Sequence, residues 1–473
     1  MFHFISNDPL HVQTTVDEQL MALLHGTLYE YEYLKNPLTL KPYLLADHPL
    51  VKDEKNVHLK IQSGLVYANG EKLTSKDFIY AWKRLADPRL PSYGYELFGK
   101  YIKGLASFRQ EFQSLIEKKA NASDLNEHMK KNISGLKYLN DEEFIVDFTV
   151  PFHAIKHALA NVHTAPIHES LTFSPSGPYE IFEHHPGKKI ILKRNSKYKP
   201  DFYPMETNIP VLEKNLFFAG KKLPGFDTIE FHIIPDSETL ISQFNQKKID
   251  RISLEPEDKK KIDEKNIVIL EKQILNVLCF NKNLQKEVRL FVDSIFSSTL
   301  KSIDSLHAFH LVDKKKISPP KKSFHLDLLG TNLASRNLGE KLIEAFELQK
   351  VILEITYNSY SRFQEKISKK NYELILYPFF ILRNEMQIFE LIVDQNQNYF
   401  DAYMNFLKHE TPESKKNLET ILKTELPLIP LFYSPYILAF QPWIQGHRGT
   451  VSIPQELKFY FLDPIKMSQM IGL

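Results

Sequence analysis

The stretch from Val57 to Pro88, VHLKIQSGLVYANGEKLTSKDFIYAWKRLADP, constrains the fold more than any other part of the chain. Val57, Leu59 and Ile61 alternate with His58, Lys60 and Gln62, the two-residue period of a half-buried strand. Asn69-Gly70 marks a turn, because both residue types tolerate positive φ. Thr74 or Ser75 then caps a helix over Lys76 to Leu85, on which Phe78, Ile79, Trp82 and Leu85 recur at spacings of three and four. Pro88 ends it. A strand, a tight turn and a capped helix with one aromatic face would by themselves be an ordinary α+β fragment.

A chain of 473 residues exceeds the ~250–300 at which a single core stops growing, so two or three domains are expected. The 60 basic and 58 acidic residues balance to a formal charge of +2, which gives no support for nucleic acid or another polyanion as partner. The 33 Phe and 22 Tyr predict large, well-filled cores. Cys279 is the only cysteine, so no intrachain disulfide and no thiolate cluster can form. No run approaches the ~20 apolar residues of a membrane span. Met1-Phe2-His3-Phe4-Ile5 is too short for the apolar core of a signal peptide and lacks its basic start, so none is expected in this sequence.

The literal residues of the opening stretch resemble the signature segment of the family 5 extracellular solute-binding proteins, which include oligopeptide- and dipeptide-binding components of ABC importers. Gly64, Val66, Asn69-Gly70, Leu73-Thr74, Asp77, Tyr80, Trp82, Arg84-Leu85 and Asp87-Pro88 fall on that family's pattern. Further matches follow in the family's order. They are Leu136 to Pro151, then Ser174 to Lys199 with its Ser-Gly-Pro-Tyr entry and Pro186-Gly187 turn, then Leu278 to Val292, and finally Gln441 to Gly446. Asp8-Pro9 resembles the family's early Asp-Pro element at the rim of its binding cleft.

The resemblance implies an α/β, two-lobed periplasmic-binding-protein fold of type II, cluster C-like, with an extra sub-domain. It further implies a discontinuous first domain (1–26, 174–273 and 441–473), the extra sub-domain over 27–173, and a shortened second lobe over 274–440. Between these, the residue pattern predicts a short strand over Phe2 to Ile5 and a helix opened by a Thr15–Glu18 capping box with Gly26 just past its end. It predicts a tyrosine-bearing turn over Pro91 to Tyr101, a polar helical stretch over Lys103 to Ser134, and a basic linker over Lys314 to Lys322. Strands are expected over Ser323 to Leu329, Val351 to Ile355, Tyr372 to Phe379 and Leu428 to Ala439, and helices over Leu338 to Leu348, Phe363 to Lys369 and Lys415 to Leu426.

No nucleophile-elbow, phosphate-loop, dinucleotide or zinc-protease pattern is present, so the chain is expected not to be an enzyme and to hold no cofactor. His153 and His157 sit four apart, with His163 and His168 beyond, but no carboxylate or thiolate completes a ligand spacing, and no metal site is assigned. By the resemblance, the ligand would be a peptide or peptide-like small solute. The partners would be an ABC permease with its ATPase subunits, the location periplasmic or cell-envelope, and the state monomeric. A peptide needs strand-edge backbone groups, a counter-charge for each terminus and roomy pockets. The family's positions map to Gln13, Thr14 and Thr15 after the rim, to Tyr93 and Tyr95, to Asn276, Val277 and Leu278, and to Phe380, Leu382, Asn384 and Glu385.

One departure stands out. Oligopeptide binders carry an aspartate for the ligand's α-ammonium where this chain has Leu382, followed by Arg383. A buried ammonium without a counter-ion costs several kcal/mol, so Glu385 is the expected stand-in. The alternatives from the resemblance are a ligand-sensing module of a regulator and a binder of metal complexes or haem on the same fold.

Overall fold

The computed structural model describes residues 7–12, 14–51, 53–90, 93–170, 173–301, 319–330, 333–381, 385–393, 395–449 and 452–471. The strand expected over Phe2 to Ile5 and the first part of the 314–322 linker lie outside them. The chain forms two compact units, Met1–Val268 with Leu438–Leu473, and Ile269–Ile437. Both crossings between units fall inside long strands, Ile267–Phe280 and Leu428–Phe440.

In the first unit the opening stretch folds as its periodicity predicts. The strand Asn56–Lys60 buries Val57 and Leu59 and pairs antiparallel with Glu143–Asp147, in the register Val57↔Val146 and Leu59↔Phe144. Leu50–Val51 and Leu136–Asn140 complete this four-stranded sheet at its two edges. The helix Ser75–Arg84 is capped at Thr74, whose amide donates to the Asp77 carboxylate at 2.6 Å. Phe78 and Trp82 lie on the sheet face against Phe144, with ring centroids 5.8 and 5.5 Å away. Trp82 Nε1 donates to the Thr164 carbonyl at 2.9 Å, so the indole's polar edge is satisfied while its body is buried. A separate three-stranded sheet holds the hairpin Tyr179–His185/Lys189–Arg194, turned at Gly187 with φ +71°, and then Thr228–His232.

Three local expectations are corrected. The first helix, Thr15–Leu24, is capped one residue earlier than expected: Thr14 Oγ1 accepts from the Asp17 amide at 3.1 Å, and the Thr14 amide donates to Asp17 Oδ2 at 2.8 Å. The shorter aspartate closes the box, which frees Glu18 for Asn161. Gly26 does not take a left-handed φ, since the helix ends in extended backbone at His25; a Cβ on Gly26 would sit 3.0 Å from Leu44 Cδ1, so a larger residue there would press on the Leu44 side chain. The tyrosine-bearing turn contains the helix Tyr93–Leu97, and the polar stretch after it breaks into Leu105–Glu117 and Ala122–Lys130.

The second unit is built on a sheet whose strands run in the order Leu428–Phe440, Ile267–Phe280, Leu374–Phe380, Ser323–Leu329, Ile352–Asn358. The last three are parallel, and Leu374–Phe380 runs antiparallel to Ile267–Phe280. Leu278, Phe280, Leu326, Leu328, Leu374 and Leu376 form one face, which packs on Phe291, Phe296, Leu342 and Phe346 of the helices Lys286–Lys301 and Leu333–Glu347. Phe363, from Tyr360–Ser368, stacks on Tyr377 at 6.0 Å. The helix Gln397–His409, which the sequence reading leaves unassigned, buries Tyr399, Ala402, Tyr403 and Phe406, and Pro412–Glu425 follows it under a Thr411 cap.

Candidate ligand-binding site

In the first unit the candidate positions hang on a fixed turn. Asp8 caps the short 3-10 helix Pro9–His11 by accepting from the Leu10 amide at 3.1 Å. Arg84, the last residue of the Ser75–Arg84 helix, donates to both Asp8 oxygens at 3.2 and 2.5 Å, with both side chains buried. The fork-to-carboxylate geometry is the strong form of this interaction and leaves little freedom to the turn. The chain then leads through Val12 to Thr14, whose hydroxyl is occupied in the capping box. Gln13 lies outside the described residues, as does the side chain of Thr15.

Beside this turn His25 Nε2 donates to the Asn7 carbonyl at 2.8 Å, and His163 Nδ1 lies 2.7 Å from Asn161 Oδ1. Burial holds both imidazoles neutral, with pKa values lowered to about 4 against the pull of Asp8. Burial pushes Glu18 the other way, up to about 7. Tyr93 is 46% exposed, its ring edge-on to His163 at 5.0 Å. Tyr95 turns inward, 9% exposed, beneath the Arg109 guanidinium at 4.6 Å.

These shifts fix opposite pH windows. A histidine lowered to about 4 binds fewer protons folded than unfolded between pH 6.5 and 4, so its stabilisation is lost as pH falls through that window. Glu18 binds more protons folded than unfolded between about pH 4.5 and 7, so its cost grows as pH rises. Glu18→Gln is therefore expected to raise the urea midpoint at pH 8 by the equivalent of about 1–3 kcal/mol and to raise it much less at pH 5. An equal gain at both pH values would show that ionisation of Glu18 is not the cause.

In the second unit Asn276 is buried, its Nδ2 donating to Ser434 Oγ at 2.7 Å and to the Phe432 carbonyl at 3.4 Å. Val277 and Leu278 are fully buried, in register with Tyr377 and Leu376. Phe380 ends its strand half-buried, edge-on to Tyr436 at 5.8 Å. Gln273 braces this end: its Nε2 donates to the Ile381 carbonyl and its backbone carbonyl accepts from the Ile381 amide, each at 2.8 Å. Leu382, Arg383 and Asn384 lie outside the described residues. Glu385 begins a 3-10 helix, Glu385–Leu391, and its side chain is not described. Tyr436 and Ser434, which contact two of these positions, carry no sequence signal beyond the Tyr-Ser-Pro-Tyr run inside an extended segment.

His157 stacks on Tyr31 at 5.8 Å, and among the described residues no group of three or more His, Cys, Asp or Glu is placed to hold a metal ion. Burial pushes the Cys279 thiol up to about 12, which leaves it a poor nucleophile. No helix among the described residues is long and apolar enough to cross a membrane.

The profile of the bacterial extracellular solute-binding proteins, family 5 Middle, matches residues 39–295, more than half of the chain. The chain belongs to this family. The family 5 chain is 26% identical over 161 residues to the oligopeptide-binding protein OppA of Bacillus subtilis, a stretch covering 31% of this chain and 26% of that protein. Among solved structures it resembles a periplasmic oligopeptide-binding protein of Borrelia burgdorferi, with TM-score 0.70, 14% identity and 97% of each chain covered. It also resembles Haemophilus influenzae OppA in complex with RPPGFSPFR, with TM-score 0.67, 15% identity, and 97% of this chain and 96% of that one covered. The fold is thus that of the two-lobed periplasmic peptide-binding proteins, and both family and fold are those of substrate-binding proteins rather than enzymes.

Proposed function

We propose that this protein is the substrate-binding component of an ABC importer, which captures a peptide-like solute in the cell envelope and delivers it to a membrane permease and its ATPase. The observation that carries the reading is the likeness over nearly the whole chain to binding proteins, one of them solved with a nonapeptide. Its first unit would contribute Tyr93 and the backbone of residues 13–15, held by the Asp8–Arg84 turn. Its second would contribute Phe380 and Tyr436 as an aromatic surface and Asn276 as a polar contact. Val277 and Leu278 would act as backbone and core support. With Leu382 at the usual aspartate position, Glu385 would balance a ligand ammonium.

The test is to denature the purified full chain and identify released small molecules by mass spectrometry. A peptide or peptide-like compound is expected, and a tetrapyrrole or metal complex would overturn the reading. In titrations, a peptide with a free α-amine is expected to bind at least about tenfold more tightly than its acetylated form, and Glu385→Gln to remove that preference. An unchanged preference in Glu385→Gln would assign the counter-charge elsewhere.

A further inference from the structure

The first unit contains a cavity of about 200 Å³ that shares no residue with the candidate peptide positions. This is below the ~300–1,000 Å³ of pockets for drug-sized ligands, so its guest would be smaller. One wall is apolar, made by the buried Leu44, Leu65 and Leu73. The lining also includes Lys197 and Lys199.

Lys199 is the informative group. Its ammonium lies 4.5 Å from the centroid of the Tyr43 ring, and among the described residues no carboxylate is within ion-pair distance of it. Burial lowers its pKa, while Asp201 and Glu30 pull it back up from farther away. The nearby carboxylates are engaged by other lysines: Lys458 bridges Glu30 and Asp201, and Lys41 holds the second oxygen of Glu30. The remaining rim is the turn at Ser63-Gly64, where Gly64 takes φ +75°. The amides of Ser63 and Gly64 donate to no acceptor among the described residues, while the Leu65 amide closes the turn toward Gln62. Successive free amides at a left-handed turn form a concavity of positive potential suited to an oxyanion.

We infer that this cavity is a second binding site, for a small organic carboxylate whose head meets Lys199 and the Ser63 and Gly64 amides and whose short apolar tail lies against Leu44, Leu65 and Leu73. A half-desolvated ammonium without a counter-ion gains most from a charge-assisted hydrogen bond. The apolar wall favours a short aliphatic acid over an inorganic ion of the same charge.

The experiment uses the full chain with butyrate and inorganic phosphate as probes. Butyrate is expected to protect Lys199 saturably from acetylation by acetic anhydride, read by peptide mass spectrometry, while the exposed Lys103 stays unprotected. In calorimetry, Lys199→Met is expected to weaken butyrate by about tenfold or more, and Lys199→Arg to retain most of the affinity. Phosphate is expected to bind more weakly than butyrate. The wild-type protection needs no variant, so misfolding of Lys199→Met cannot hide the answer. Absence of saturable protection, equal butyrate affinity in Lys199→Met, or preference for phosphate would each overturn the assignment.

Discussion

Replacing Lys458 by methionine is expected to lower the unfolding free energy by about 3–5 kcal/mol. Lys458 Nζ lies 2.5 Å from Glu30 Oε2 and 2.8 Å from Asp201 Oδ2, with lysine and glutamate each only 1% exposed. Tyr198 donates to the same Asp201 oxygen at 2.7 Å. Burial alone would raise the Asp201 pKa, but Lys458, Lys41 and Lys199 together hold it well below the usual carboxylate range. Stability from that group is therefore present above the ordinary carboxylate pKa of about 3.9 and is lost as pH falls through and below it.

Methionine fills the volume of the lysine stem but leaves two buried carboxylates facing each other without their shared cation. The cluster joins three distant segments of a discontinuous unit, so its loss would be felt as global destabilisation rather than local fraying. Neutralising the partners in the same background, with Glu30→Gln and Asp201→Asn, is expected to restore much of the loss, since an apolar or neutral replacement of a whole buried cluster is often tolerated. Urea midpoints of the single and triple variants measure this. A single variant within about 1 kcal/mol of wild type would mean that water already solvates the site.

What the sequence made legible follows the range over which each signal acts. The Asn56–Lys60 strand and the Trp82 helix were readable because period two and period three-to-four are written within a dozen residues. The first helix's cap was read one residue late because Thr14-Thr15 and Asp17-Glu18 offer two overlapping boxes, and only the backbone decides between them. Gln397–His409 carries an apolar face in Tyr399, Ala402, Tyr403 and Phe406, at spacings of three, four and seven, which is legible in the sequence as well. By contrast, nothing local marks Arg84 as the partner of Asp8, 76 residues away, or Lys458 as the partner of Glu30, 428 residues away. Both basic residues sit in runs that read equally well as solvated surface. At the candidate site the resemblance supplied positions but not orientations. Asn276 and Leu278 share one face of their strand and Val277 lies on the other. Yet Asn276 finds a polar partner in Ser434 while Val277 and Leu278 are wholly enclosed, a difference set by what packs at each level of the sheet.

Arg84→Met is the substitution expected to couple stability to ligand binding. The bidentate contact to Asp8 joins the end of the Ser75–Arg84 helix to the Pro9–His11 turn, and both side chains are buried. Removing the guanidinium leaves Asp8 enclosed with its capping bond to the Leu10 amide at 3.1 Å and with His11 Nδ1 at 3.6 Å. A buried carboxylate deprived of its main counter-charge costs about 3–5 kcal/mol, and the turn can recover part of this only by opening toward water. Opening would displace residues 12–15, which follow the turn directly, so the affinity for a peptide ligand is expected to fall by about tenfold or more. Asp8→Asn in the same background removes the stranded charge while its side-chain oxygen still accepts from Leu10. The double variant is therefore expected to regain most of the stability, yet to bind weakly, because a neutral pair no longer fixes the turn. Unfolding midpoints and peptide titrations on the two single variants and the double variant complete the cycle. If Arg84→Met keeps wild-type affinity while losing stability, the ion pair supports the fold alone and the turn does not position the ligand.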